Sequence, residues 1–281
     1  MCIMLILVHI GDDFPSYMNT CIHQINSVSQ IPVHVLINDK HISQLTGKCT
    51  AVALESLHID DLHQQFEDTT VLDPYSRGGF WKYATKRFFY IHTYMKMNNF
   101  TDVFHIEYDN LVYLDFTEKL SVFQQKSMWC VLDAEDRCIP SFVYFKNATS
   151  TERLLFSCIE GSAQGLNDMQ NLANFAHNNS EVGLLPIITN YCEPIPEKYH
   201  EYADAFGFLF DGACVGQYIG GVDPRNTPGD TRGFINEKTV FQCNKATVEW
   251  KEGKPWLNSL PLVNLHIHSK DLGRWAAQGL S

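Results

Sequence analysis

The first segment of the chain constrains the fold most, because Ile3 to Ile10 is an almost continuous aliphatic run that ends at Gly11-Asp12-Asp13. Such a run is typical of a strand that is buried on both faces of a parallel sheet. A helical segment from Ser16 to Ser27 follows, and then a second β-rich run from Pro32 to Asn38. Strand, helix and strand in this order predict a right-handed βαβ unit within a mixed, mostly parallel α/β sheet flanked by helices.

The rest of the chain continues this alternation without a Pro/Ser-rich linker, an internal repeat or a low-complexity segment. We therefore expect residues 1–281 to form a single α/β domain. Helices are predicted at Trp81 to Met97, after a turn-rich break at Tyr75 to Phe80, and at Asn167 to Phe175; strands are predicted at Thr69 to Leu72, Val103 to Ile106, Met128 to Leu132, Phe142 to Phe145 and Leu262 to His268.

The charge balance excludes one class of partner. The chain has 21 Lys and Arg against 32 Asp and Glu, a formal net charge of −11. This surplus of acid repels a polyanion, so we expect no nucleic-acid partner. A ligand that carries phosphates would need a metal ion or a few placed basic residues to neutralise it locally.

The cysteines and the apolar segments indicate a compartment. Nine cysteines are present, and none of them form a C-x-x-C pair. No apolar run approaches the roughly 18 residues of a transmembrane helix, and the first one lacks a basic region and a cleavage site. These features predict a cytoplasmic protein with reduced thiols and no transmembrane segment.

The segment FHIEYDN, Phe104 to Asn110, is the sharpest candidate for chemistry. A buried strand delivers Glu107 and Asp109, which lie on the same side if the strand continues through them. Two carboxylates at a strand end suit Mg²⁺ or Mn²⁺ when water and a diphosphate complete the coordination. The alternative without a function is that Glu107 and Asp109 are two solvated acidic residues in a loop.

Two further segments carry candidate site residues. In LHIHSKDLGRW, His266 and His268 point to one face of a late strand and could complete a metal site, while Lys270 could meet phosphate oxygens. Taken alone, this pattern is more often a pair of ordinary half-buried strand histidines. Asp168 opens a helix, where it is either a cap or a general base that takes a proton from a hydroxyl group.

Other candidates lie in loops and at strand ends. Ligands of parallel sheets collect beyond the carboxyl ends of the strands, which selects the loops that contain His9 and Asn38. Arg77 precedes two glycines, which permit close backbone approach to a phosphate. Trp81 could stack on a sugar ring, and Lys86 adds positive charge to the same helix. The phosphate-binding signatures GxGxxG and GxxxxGK[ST], the serine elbow G-x-S-x-G and the zinc motif H-E-x-x-H do not occur.

The order of these features resembles the GT-A family of nucleotide-sugar glycosyltransferases. That family has a β/α N-terminal half, an acidic DxD motif after a buried strand and a histidine on a strand near the C-terminus. The resemblance covers nearly the whole chain in layout, and Glu107-Tyr108-Asp109 would be its DxD variant. It implies a GT-A-like (Rossmann-like) fold, with residues 1–115 as the nucleotide-binding half and residues 116–281 as the acceptor half.

The resemblance also implies roles for individual residues. Asp109 would hold Mn²⁺ or Mg²⁺ on the donor diphosphate, Glu107 would contact the ribose or the metal, and His266, or else His268, would be the C-terminal ligand. Lys270 would pair with the diphosphate, and Asp168 would be the base of an inverting enzyme or would position substrate in a retaining one. The segment Gly207 to Asn226 has no counterpart in the family pattern; it would shape the sugar or acceptor pocket through Asp211 and Gln217. Donor binding would involve His9, Asn38, Arg77, Trp81, Lys86 and Tyr108.

The expected function is therefore metal-dependent transfer of a sugar from a UDP- or GDP-sugar to a hydroxyl group on a glycan or another acceptor. A sugar nucleotidyltransferase is an alternative, although the first strand is followed by HIGDDFPSY rather than by a basic Gly-rich loop. A non-catalytic glycan-binding module is the other alternative.

Overall fold

The computed structural model describes residues 3–187, 200–223, 248–257 and 259–276. Twelve strands occur in these ranges: β1 Met4–His9, β2 Val33–Ile37, β3 Thr50–Ala53, β4 Thr101–Ile106, β5 Asn110–Val112, β6 Met128–Ala134, β7 Arg137–Asn147, β8 Val182–Leu184, β9 Val248–Lys251, β10 Lys254–Leu257, β11 Leu260–Pro261 and β12 Asn264–His266. Eight α-helices occur in the same ranges: α1 Tyr17–Val28, α2 Asp61–Thr69, α3 Phe80–Asn98, α4 Leu120–Phe123, α5 Ala148–Ser162, α6 Asp168–His177, α7 Ala203–Phe206 and α8 Cys214–Gly220.

The central sheet has seven strands in the order β3-β2-β1-β4-β7-β6-β8. β1 pairs in parallel with β2 and β4, β2 with β3, and β6 with β8, whereas β7 runs antiparallel to both β4 and β6. Only β7 therefore opposes the common direction. The predicted mixed, mostly parallel α/β sheet is confirmed.

The central strands are recognisable in the sequence because their residues are buried and therefore apolar. All six residues of β1 are buried, and so are five of the six residues of β4. Their side chains join a core that also contains Trp129 and Phe142. Because α1 and α3 lie between the parallel strands in sequence, the carboxyl ends of β1 and β4 meet at one edge of the sheet.

The predicted strand at Thr69 to Leu72 is wrong, and six short strands were not predicted: β3, β5, β8, β9, β10 and β11. Thr69 is the last residue of α2, a helix capped by the Asp60 carboxylate, which accepts from the His63 backbone N–H. The actual third strand, β3, is a four-residue edge strand with no fully buried residue. It escapes detection because an edge strand has neither a continuous apolar run nor enough length to alternate.

The late strand is shorter than predicted and lies outside the central sheet. β12 pairs antiparallel with β5, and this pairing places His266 opposite Asn110. Two segments that are far apart in the sequence thereby meet at the carboxyl end of β4. None of the helices in the described ranges has the length and apolar character needed to span a bilayer.

Candidate active site

A cavity of about 260 Å³ opens at the carboxyl ends of β1 and β4. This is the edge where ligands of parallel α/β sheets bind. The first turns of α3 and α6 and the end of β12 supply its other walls. Its lining includes these predicted site residues: His9, Arg77, Trp81, Glu107, Tyr108, Asp109, Asp168, His266, His268 and Lys270.

Three possible metal ligands converge in this cavity. Glu107 follows β4, Asp109 lies in the turn before β5, and His266 ends β12; one ligand atom from each lies within 4.8 Å of the others. Nε2 of His266 is 3.1 Å from Oδ1 of Asp109 and 3.4 Å from Oε2 of Glu107. The backbone fixes this approach, because the Ile267 N–H donates to the Asp109 carbonyl at 2.8 Å.

The charges within this cluster depend on one another. Burial of the His266 imidazole lowers its pKa, but Asp109 and Glu107 outweigh this effect and raise the pKa to about 9. Burial raises the pKa of the Asp109 carboxyl, yet His266 and Lys270 hold it well below its usual range. An imidazolium therefore stabilises the two carboxylates at neutral pH when no metal is bound.

The donor set fits a hard divalent cation. Two carboxylates and one imidazole match the oxygen-rich coordination of Mg²⁺ and Mn²⁺. Nδ1 of His266 lies 2.5 Å from the Gly212 carbonyl oxygen, a contact that requires a hydrogen on Nδ1 and leaves Nε2 for a metal. A metal bound here would replace the proton on Nε2.

Arg87 is the site residue that sequence reasoning did not select. Its guanidinium donates to Oε1 of Glu107 at 2.6 Å and to Oδ2 of Asp168 at 2.8 Å, and so bridges two carboxylates inside the cavity. The signal was in the helical spacing, because Phe80, Ala84 and Arg87 share the face of α3 that lines the cavity.

Asp168 is not the cap of its helix. Asn167 is the cap, within a capping box that also uses Gln170, so the carboxylate of Asp168 is available to the cavity. Oδ2 accepts from Arg87, whereas Oδ1 has no hydrogen-bond partner among the described residues. Burial raises the pKa of this carboxyl, Arg87 lowers it and Glu107 raises it, with a result of about 6.

Aromatic groups surround the β1 end of the cavity. Nδ1 of His9 lies 3.0 Å from the Tyr108 hydroxyl and Nε2 lies 2.9 Å from the Asp13 carbonyl oxygen. The rings of Tyr17 and Tyr108 are 5.7 Å apart. Burial is the main reason that the pKa of His9 falls to about 4, so this ring is neutral near pH 7.

Basic groups lie at both sides of the cavity. Arg77 is exposed and has a φ of 51°, and its guanidinium lies 5.3 Å from the Phe80 ring centroid and 6.0 Å from that of Trp81. Lys270 donates to Asp109 and lies 3.8 Å from Asp223. Both cations line the cavity, where they are accessible to an anionic ligand.

Four predicted site residues lie outside the cavity lining. Lys86 pairs with Glu67 of α2 at 2.6 Å, because it lies on a different side of α3 from Arg87. Asn38 donates to Glu55 at 2.9 Å and accepts from the Gly11 N–H at 3.2 Å. The carboxylate of Asp211 accepts hydrogen bonds from three backbone N–H groups. Gln217 lies behind His268, 3.1 Å from its Nδ1. Of the Gly207 to Asn226 segment, residues 224–226 lie outside the described residues.

Neither a scan against protein-family models nor a search of curated proteins found a match. Among solved structures, the chain is similar to an active-site mutant of LgtC, with 12% identity, a TM-score of 0.47 and coverage of 89% of this chain and 98% of that one. A second similar structure is that of the galactosyltransferase LgtC in complex with donor and acceptor sugar analogues. The chain is also similar to mouse xyloside xylosyltransferase 1, with 9% identity, a TM-score of 0.44 and coverage of 73% and 92%. Both proteins carry the name of a glycosyltransferase.

Proposed function

We propose that this chain is a metal-dependent glycosyltransferase that moves a sugar from a nucleoside-diphosphate donor to a hydroxyl acceptor. The observation that carries this proposal is the convergence of Glu107, Asp109 and His266 within 4.8 Å, at the wall of a cavity that Lys270 also lines. A hard-cation site next to a lysine is suited to a diphosphate, because both groups counter its negative charge.

Glu107, Asp109 and His266 are the residues that would hold Mn²⁺ or Mg²⁺. When bound, such an ion would neutralise the charge that develops on the departing diphosphate. Lys270 would donate to the same phosphate oxygens from the side of Asp109. The net charge of −11 then matters little, since these groups act within a few ångströms of the ligand.

The aromatic end of the cavity would hold the nucleoside. Tyr17, Tyr108 and His9 provide flat, largely apolar surfaces beside the end of β1. Nucleobases stack on such surfaces, and the neutral imidazole of His9 costs no charge desolvation. Arg77 at the rim would pair with phosphate or sugar oxygens.

Asp168 would act on the acceptor hydroxyl group. Its Oδ1 lacks a partner in the described part of the chain, and the carboxyl lines the cavity, so this oxygen can accept the hydroxyl hydrogen. Arg87 holds the other oxygen and fixes the orientation of the carboxylate. A pKa of about 6 keeps the group ionised at neutral pH yet basic enough to take a proton.

The test is calorimetric titration of UDP, GDP and CMP into the protein with and without Mn²⁺, followed by thermal-shift measurements with the corresponding nucleotide sugars. We expect one nucleotide to bind only with Mn²⁺, and saturation at 100 times its dissociation constant to add about 2.7 kcal/mol of stability. Asp109→Asn should weaken the metal-dependent binding by more than about 100-fold, beyond the usual effect of an outer-shell change.

Asp68→Asn, an exposed carboxylate on α2, is the matched control and should bind like the wild type. Nucleotide affinity that does not depend on Mn²⁺, or that survives in Asp109→Asn, would contradict the proposed function. Binding of a glycan alone would favour the non-catalytic alternative.

A further inference from the structure

Three of the seven residues of the segment Asp211–Gln217 contact His266, and a fourth, Gln217, reaches it through His268. It follows Phe210 and leads into α8, and its side chains are buried: Asp211 is 1% exposed and Gln217 is 0% exposed. Neither residue lines the cavity. Their burial behind His266 indicates a role that is exerted through this histidine rather than on a substrate.

The first contact is to the backbone. The Asp211 carboxylate accepts from the N–H groups of Val215 at 3.0 Å, Gly216 at 2.8 Å and His266 at 2.9 Å. One buried carboxylate therefore ties the start of α8 to the last residue of β12. Asn264 strengthens this tie, because its Oδ1 accepts from the Asp211 N–H at 3.1 Å.

The second contact is steric. A Cβ atom at Gly216 would lie 2.0 Å from the His266 carbonyl oxygen, well inside van der Waals contact. Glycine is the residue type that allows α8 to approach β12 this closely. The helix thus packs directly on the backbone that carries the imidazole.

The third contact sets the hydrogen on the ring. The Gly212 carbonyl oxygen is 2.5 Å from Nδ1 of His266, so this nitrogen must donate. Nε2 of His268 lies 3.1 Å from the same Nδ1 and must therefore accept. A neutral His268 whose Nε2 accepts carries its own hydrogen on Nδ1.

Gln217 completes the chain of hydrogen bonds. Its amide nitrogen, Nε2, is assigned to a position 3.1 Å from Nδ1 of His268, but the two ends of an amide are told apart only by their hydrogen bonds. If Nδ1 of His268 carries the hydrogen, the atom of Gln217 at this contact must be the amide oxygen, Oε1, which accepts it. This orientation supplies a partner for an oxygen that otherwise has none among the described residues.

We propose that the Asp211–Gln217 segment positions His266 for the metal. Gln217 and His268 are positioning residues: they keep the hydrogen of the His266 ring on its Nδ1 and leave its Nε2 directed at Asp109 and Glu107. This inference rests on the proposed function, since it assigns the segment to the same metal site. Outer-shell partners of this kind orient a ligating imidazole and raise its basicity.

The test combines nitrogen-15 spectra of histidine-labelled protein with Mn²⁺ titration in the absence of nucleotide. We expect the hydrogen of His268 on Nδ1, with the signals assigned from the spectrum of His268→Asn. Gln217→Leu should lose this tautomer and weaken Mn²⁺ binding by about 10- to 100-fold. Gln217→Glu keeps an oxygen at the contact and should restore both properties.

Gln124→Leu removes a side-chain amide that donates to Asp102, away from the cavity, and should leave both readouts unchanged. A hydrogen on Nε2 of His268 in the wild type, or Mn²⁺ binding that Gln217→Leu leaves intact, would overturn this inference alone. Failure of the wild-type protein to bind Mn²⁺ would instead overturn the proposed function.

Discussion

At the scale of single residues, two carboxyl groups that share Arg87 have different protonation behaviour. Glu107 has a pKa below its usual value, because Arg87 and His266 outweigh the effect of burial. Asp168 has a pKa of about 6, because its burial outweighs the same guanidinium. The environment thus separates a carboxyl group whose pKa is lowered from one whose pKa is raised to about 6 and which can exchange a proton near neutral pH.

The first prediction concerns the pH dependence of sugar transfer. Only the ionised form of Asp168 can accept a proton, so the rate should fall as the pH drops through about 6 and reach a plateau above it. Asp168→Asn should lower kcat by about 10²- to 10⁴-fold and abolish this acid limb. Steady-state rates measured between pH 5 and 8 provide the check.

Glu160→Gln is the matched control, since this residue is exposed on the neighbouring helix α5. Its pH profile should overlay that of the wild type. An acid limb that persists in Asp168→Asn would assign the titration to another group and would remove Asp168 as the base.

At the scale of elements, the candidate site depends on a two-stranded sheet and on a short helix that packs against it. β5 and β12 pair antiparallel, and this pairing holds His266 beside the turn that contains Asp109. α8 has only seven residues, so its position comes from contacts with β12 rather than from its own helical stability. A disturbance of this contact should therefore reach the proposed metal ligands.

The second prediction tests this contact with Gly216→Ala. The added methyl group would lie 2.0 Å from the His266 carbonyl oxygen, so α8 and β12 must separate. Overpacking of this kind typically costs about 1–3 kcal/mol in unfolding free energy. We expect that loss in urea unfolding together with weaker Mn²⁺ binding.

Gly273→Ala serves as the control, because a Cβ there meets no atom within 4 Å. Its stability and Mn²⁺ affinity should match the wild type. Unchanged values for both properties in Gly216→Ala would show that the helix does not support the histidine.

At the scale of the whole molecule, several histidines are packed into the fold as neutral groups. His63 is 0% exposed, and neither ring nitrogen has a hydrogen-bond partner in the described ranges. Burial and the charge of Lys86 lower its pKa to about 4, although Glu67 and Asp60 oppose the shift. Burial is likewise the main reason that the pKa of His105 falls to about 3.

The third prediction is a loss of stability in mild acid that is traceable to His63. A pKa lowered from 6.5 to about 4 means that the unfolded chain binds the proton first. The stabilisation is therefore complete above pH 6.5 and is lost as the pH falls towards 4. Between pH 7 and 5 this one group should cost about 2 kcal/mol.

Urea unfolding of His63→Leu at pH 7 and pH 5 measures this contribution. The variant should lose about 2 kcal/mol less than the wild type over this interval. His58→Leu, at an exposed position, is the control and should follow the wild type. Parallel pH dependence of His63→Leu and the wild type would show that His63 is not the responsible group.

The sequence alone determined the elements whose signal is local. β1, β2 and β4 are apolar runs that end at turn residues, α1 and α3 are long periodic segments, and their order defines the parallel sheet. The carboxyl-end rule pointed to His9, which lines the cavity, and to Asn38, which does not. Glu107 and Asp109 were selected because two carboxylates follow a buried strand. The four-residue edge strand β3 has no comparable local signal and was missed.

Tertiary structure decided which side chains face one another. Lys86 and Arg87 are adjacent in sequence, yet the packing of α3 between α2 and the sheet turns the lysine to Glu67 and the arginine into the cavity. Asp211 and Gln217 looked like pocket residues until the pairing of β12 with β5 placed them behind His266. Contacts between residues on different elements depend on how the helices and strands pack together, and neither periodicity nor composition encodes that packing residue by residue.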